Sequence, residues 1–117
     1  MSRRHWRHRV EDMIDALERI GRLSGGRRAA EYDEATLGAI LYCFAVIGEA
    51  AGHVPEDVRG RHPGVAWVEM KRMRNVVVHA YFGIDPARLQ ATIEQDVPET
   101  LAALRRVLQD QSPEDDG

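Results

Sequence analysis

Apolar residues in this chain recur at the helical period in four separate stretches, each closed by glycine or proline. Trp6, Val10, Met13, Leu17 and Ile20 stand at alternating steps of four and three. That series lays one apolar face along a helix, and the face needs a partner to bury it. The pattern predicts a first helix over residues 4–22, stopped by Gly25-Gly26. A second helix is predicted over 34–51, with Asp33 as N-cap and Leu37, Ile40, Leu41, Phe44 and Ile47 as its stripe. Gly38 and Gly48 lie inside it, each costing about 1 kcal/mol relative to alanine. Both are therefore expected to pack closely against another backbone.

Residues 52–65 form the longest connection. Pro55-Glu56-Asp57 can start a single helical turn there, and His62-Pro63-Gly64 reads as a turn. The third stripe is Trp67, Met70, Met73, Val77 and Tyr81, which predicts a helix over 67–80. Val76-Val77-Val78 has strand propensity, but a lone strand without partners is not stable. Asp85-Pro86 is an N-cap followed by proline at the first helical position. Leu89, Ile93, Val97, Leu101, Leu104 and Leu108 then carry the last helix to residue 109. Pro98 must kink or split it. Four long helices with short connections favour an antiparallel bundle, and no strand partner is in sight.

A chain of 117 residues holds one domain, expected over residues 1–110, with 111–117 as a disordered acidic tail. Cys43 is the only cysteine, so no intramolecular disulfide can form and a reducing compartment is expected. The basic start at residues 1–9 is not followed by an apolar run. Neither a signal peptide nor a membrane span is expected, which points to the cytoplasm. The net charge of −3 hides an asymmetry, because residues 1–28 carry eight arginines against four acids. Arginine suits bidentate phosphate contacts, although composition alone does not argue for nucleic acid.

The segment Arg74-Asn75-Val76-Val77-Val78-His79-Ala80-Tyr81 carries the chemistry. An arginine can hold a phosphate and stabilise charge developing on it. A neutral histidine can take a proton from a ribose 2′-hydroxyl near pH 7. RNA supplies its own nucleophile in that reaction, so no metal or other cofactor is called for, and the product is a 2′,3′-cyclic phosphate. On a straight helix, Arg74 and His79 stand about 140° apart. Convergence on one phosphate then needs either a distorted helix end or a two-fold axis joining two copies. Taken alone, an arginine and a histidine at this spacing are also compatible with a solvated helix end.

Three blocks resemble HepT-like members of the HEPN superfamily, in the family's order and spacing. They are Ile47-Gly48-Glu49-Ala50, Trp67 six residues before Met73, and Met73-Arg74-Asn75 followed by His79 and Tyr81. The resemblance runs from the first helix to about residue 108. It implies an all-α, antiparallel four- to five-helix bundle, a homodimer, and RNA cleavage by Arg74 and His79 with Asn75 in support. It implies a toxin of a type VII-like toxin–antitoxin system. The cognate antitoxin is then a minimal nucleotidyltransferase that attaches AMP to Tyr81. Arg72 departs from the small residue that relatives often carry before the methionine, which puts substrate preference in doubt. The alternative reading is a non-catalytic helical subunit that binds a nucleotide or docks a nucleotidyltransferase.

Other features are weaker. His5, His8 and Asp12 allow a metal site, but a basic contact surface for RNA fits the arginine-rich segment better. Gly25-Gly26-Arg27-Arg28 lacks the spacing of a phosphate-binding loop and reads as a turn. Glu49 is expected to pack or hydrogen-bond near the site, and Glu69 to pair on the surface. Cys43 is expected to be an inert core thiol, and Trp6 and Trp67 to serve the core or an interface.

Overall fold

The computed structural model describes residues 5–71 and 85–110. Among these the chain is all-α, with no strand. Helix α1 (Trp6–Ser24) buries every member of its predicted stripe. It ends where Gly25 takes φ +55° and Gly26 φ +72°, a left-handed region that an L side chain enters only at a cost. The Gly25 N–H donates to Gly21 O at 3.2 Å, closing the last turn.

A short 3₁₀ turn at Ala29–Glu31 leads to α2 (Glu34–Gly52). Asp33 caps α2 as expected: its Oδ1 accepts the Thr36 backbone N–H at 2.7 Å. Ile40, Leu41, Cys43, Phe44 and Ile47 are buried, and α2 packs lengthwise on α1. By length and composition alone, α2 is apolar enough to cross a bilayer. That corrects the expectation that no segment is long enough. In this fold its Ile40, Cys43, Phe44, Ile47, Ala50 and Ala51 belong to the same core cluster as the α1 stripe.

The connection forms a true short helix, α3 (Glu56–Arg61), which buries Val58. Residues 67–71 are helical, with Trp67 and Met70 buried, so the third predicted helix begins where its stripe does. The remainder of that helix, and the tail 111–117, lie outside the described residues. Helix α4 (Pro86–Ala91) is capped by Asp85, whose Oδ1 accepts the Ala87 N–H at 3.0 Å. A π-helical turn, Thr92–Asp96, joins α4 to α5 (Val97–Val107).

The π turn is how the chain accommodates Pro98. Proline at position i has no N–H and collides with the carbonyl four residues back. Widening the preceding turn moves that carbonyl away, and the Val97 N–H bonds Thr92 O instead. The predicted split is thus a register change within one continuous helical run. Ile93, Val97, Leu104 and Val107 are buried on its inner face, with Leu89, Leu101 and Leu108 packed at the margin of the core.

One expectation needs correcting. Among the described residues, a Cβ on Gly38 would meet nothing within 4 Å, so no described backbone presses on it. Gly48 is buried, in keeping with close packing.

Candidate functional site

The four residues assigned chemistry from sequence, Arg74, Asn75, His79 and Tyr81, lie outside the described residues, as does Arg72. What is described is the frame on either side of them in the chain. Residues 67–71 lead into the motif, and Asp85 opens the helix that follows it.

The entry side is firmly held. The Trp67 indole is buried, and its Nε1–H donates to His62 O at 2.9 Å. The Trp67 backbone N–H donates to Val65 O at 2.9 Å, and the first helical bond runs from Met70 N–H to Ala66 O. Lys71 lies against the end of α2, its Cε 3.8 Å from where a Cβ on Gly52 would stand. The approach to the motif therefore runs beside the Ile47-Gly48-Glu49-Ala50 block. Ile47, Gly48 and Ala50 are buried there. Glu49 is exposed and pairs with His53 Nε2 at 3.5 Å one turn on, rather than packing into the core.

A second structure sits behind that entry, and sequence reading missed it. His62 Nε2 and Arg61 Nε approach the same oxygen of Asp110, Oδ2, at 2.7 and 3.1 Å. The Arg7 guanidinium donates to the Asp110 carbonyl oxygen. These contacts join the start of α1, the end of α3 and the end of the last helix. His62 and Asp110 are 48 positions apart, so no local motif could reveal them.

Two shallow depressions follow the α1–α2 seam and share Asp12, Tyr42 and Val46. The larger, about 480 Å³, extends along α1 toward Arg19 and Arg22. The smaller, about 340 Å³, extends toward Arg9 and Glu49. Tyr42 stands between them at 65% exposure. Cys43 lines the larger depression from below, and burial pushes its thiol up from the ordinary value, against the pull of Arg19 and Arg22. A thiol held protonated is a poor nucleophile, which agrees with the expected inert core residue. Among the described residues no group of three or more His, Cys, Asp or Glu side chains could hold a metal ion, so His5, His8 and Asp12 do not assemble one.

A family model described as ribonuclease HepT-like matches residues 13–107, the whole bundle from within α1 to the end of α5. The chain belongs to the HepT-like ribonuclease family. The protein named "Probable ribonuclease HepT" in Thermococcus cleftensis is 35% identical over 100 residues, covering 84% of this chain and 90% of its own. A Methanocaldococcus jannaschii protein named "Putative RNase" is 29% identical over 103 residues, 84% of this chain and 85% of its own. A Caldanaerobacter subterraneus protein, also named "Putative RNase", is 32% identical over 71 residues, 61% of this chain and 63% of its own. No solved structure matches the chain. The HepT-like assignment agrees with the blocks singled out in the sequence, all of which fall inside the matched span.

Proposed function

We propose that this chain is a cytoplasmic toxin of a toxin–antitoxin pair, acting as a metal-independent endoribonuclease in the form of a homodimer. The observation that carries the reading is the HepT-like match across residues 13–107, with Arg74 and His79 inside it at the spacing of the catalytic pair. Arg74 grips the scissile phosphate and offsets the charge that builds on its oxygens. His79 takes the proton from the ribose 2′-hydroxyl. The 2′-oxygen then bonds to phosphorus as the bond to the 5′-oxygen breaks. The leaving 5′-oxygen gains a proton, giving a 2′,3′-cyclic phosphate and a 5′-hydroxyl. Asn75, four positions before His79, orients the site or the phosphate.

Tyr81 is the regulatory position. A minimal nucleotidyltransferase transferring AMP to its phenol would place a bulky anion beside the catalytic pair. Like-charge repulsion and sheer volume would then exclude the RNA backbone.

The test is cleavage of RNA by purified, unmodified protein in excess EDTA. Fragments ending in 2′,3′-cyclic phosphate are expected. His79→Ala should lower the rate by on the order of 10²–10⁴-fold, and Arg74→Ala by a comparable factor. Absence of cleavage by the wild type, or undiminished cleavage by His79→Ala, would overturn the assignment.

A further inference from the structure

We infer that Asp110 is a positioning residue for the ribonuclease motif, acting through His62 and Trp67. The inference rests on the proposed function for its consequence and on described geometry for its mechanism. Asp110 follows the end of α5, and its side chain is 8% exposed. A carboxylate so far out of water is tolerated only when it is paired and hydrogen-bonded. Its Oδ2 receives both His62 Nε2 at 2.7 Å and Arg61 Nε at 3.1 Å. Arg61 is itself held by Asp57 one turn back, at 3.3 Å. Arg7 fixes the Asp110 backbone by donating to its carbonyl oxygen. The C-terminal end of the bundle is thereby locked onto the His62 side chain.

The backbone of His62 holds Trp67, the residue that opens the helical stretch before the motif. Its carbonyl oxygen accepts the Trp67 indole N–H at 2.9 Å and the Val65 backbone N–H at 3.2 Å. The His62-Pro63-Gly64 turn is thus clamped on both sides, by the carboxylate on its imidazole and by the indole on its carbonyl. Trp67 is the first residue of the helical stretch 67–71, and Arg74 follows that stretch by three positions in the sequence. A helix transmits a rotation or shift of its first turn along its length. Catalysis by an arginine and a histidine depends on placement within fractions of an ångström. The carboxylate, imidazole and indole together set the origin of the helix that the apolar stripe predicts over 67–80. In this role they act on the placement of the motif and not on the RNA itself.

The test combines a readout without RNA and one with it, on the full chain. The first is the Trp67 indole N–H resonance, assigned with Trp67→Phe and referenced to the Trp6 indole. Asp110→Ala is expected to shift it and to speed its hydrogen exchange by roughly tenfold or more. Asp110→Asn still accepts a hydrogen bond from the imidazole and should stay near wild type, as should its RNA cleavage. In steady-state cleavage, Asp110→Ala and His62→Gln should lower kcat by roughly 10-fold with KM little changed. A purely structural staple would lower thermal stability and leave kcat of the folded fraction intact. An unmoved Trp67 indole in folded Asp110→Ala overturns the inference, and so does a wild-type kcat. Should Asp110→Ala fail to fold, Asp110→Asn and His62→Gln decide: equal kcat in the two overturns it. A wild type without ribonuclease activity sinks the proposed function instead, and the indole measurement then decides the clamp alone.

Discussion

At the scale of single residues, the most legible position is Asp33. Its side chain accepts the Thr36 N–H, and the Thr36 hydroxyl first, then that N–H, hold the carboxyl below its ordinary value. The sign of the pH effect follows directly. A carboxylate whose pKa is depressed in the folded chain stabilises the fold above its unfolded pKa, where it is ionised in both states. That contribution is lost as pH falls through the folded value. Comparing thermal melts of wild type and Asp33→Ala should therefore show a gap at pH 7 that closes below the ordinary carboxylate range. A gap that persists unchanged at pH 2 would mean that the cap acts without its charge. Cys43 makes the complementary case. Its side chain lies in the core among the apolar residues of α2, and burial raises its pKa, in keeping with an inert core thiol.

At the scale of elements, the last helix shows how a local rule finds its physical solution. Proline cannot sit in a regular α-helix without displacing the carbonyl four residues earlier, and the chain answers with the π turn at Thr92–Asp96. Pro98→Ala should restore a donor and allow the turn to tighten, raising stability by about 1 kcal/mol, below the full proline penalty because the π turn already relieves the clash. A denaturant titration would measure this, and a destabilised variant would mean that the π register is held by packing instead. Such features were legible because they are local. The apolar stripes, the Gly25-Gly26 stop, the Asp33 and Asp85 caps and Pro98 each act over a turn or two of helix. The motif is read from the same kind of local signal, since Arg74 to Tyr81 spans eight consecutive residues, but it lies outside the described residues. The clamp at Asp110 was not, because His62 and its carboxylate meet only after the bundle closes. Gly38 misled for a related reason: a glycine in a helix signals a close neighbour but does not say whether that neighbour belongs to the same chain.

At the scale of the whole molecule, the outward face of α2 is the feature that the described residues do not account for. No charged residue occurs from Ala35 to Gly48 in a chain that is 30% charged. Gly38, Tyr42 and Ala45 follow one another along that face at helical spacing. Among the described residues nothing stands within 4 Å of a Cβ on Gly38, and Tyr42 is 65% exposed. An uncharged ridge with depressions beside it, rimmed by Arg9, Arg19 and Arg22 and by Asp12, Asp15 and Glu18, suits a second copy of the same chain. A two-fold axis would set basic rim against acidic rim and let the glycine admit the facing helix. It would also answer the geometry of the motif, in which Arg74 and His79 diverge on a straight helix and two copies can supply what one cannot. Tyr42→Arg should convert the proposed homodimer to a monomer in light scattering behind size-exclusion chromatography. RNA cleavage should fall with the dimer fraction, while circular dichroism stays that of a helical bundle. Ala102→Arg, at an exposed position on α5, should leave both unchanged. A Tyr42→Arg protein that stays dimeric would move the interface elsewhere. One that is monomeric yet fully active would show that each chain carries a complete site, and the two-fold requirement would fall.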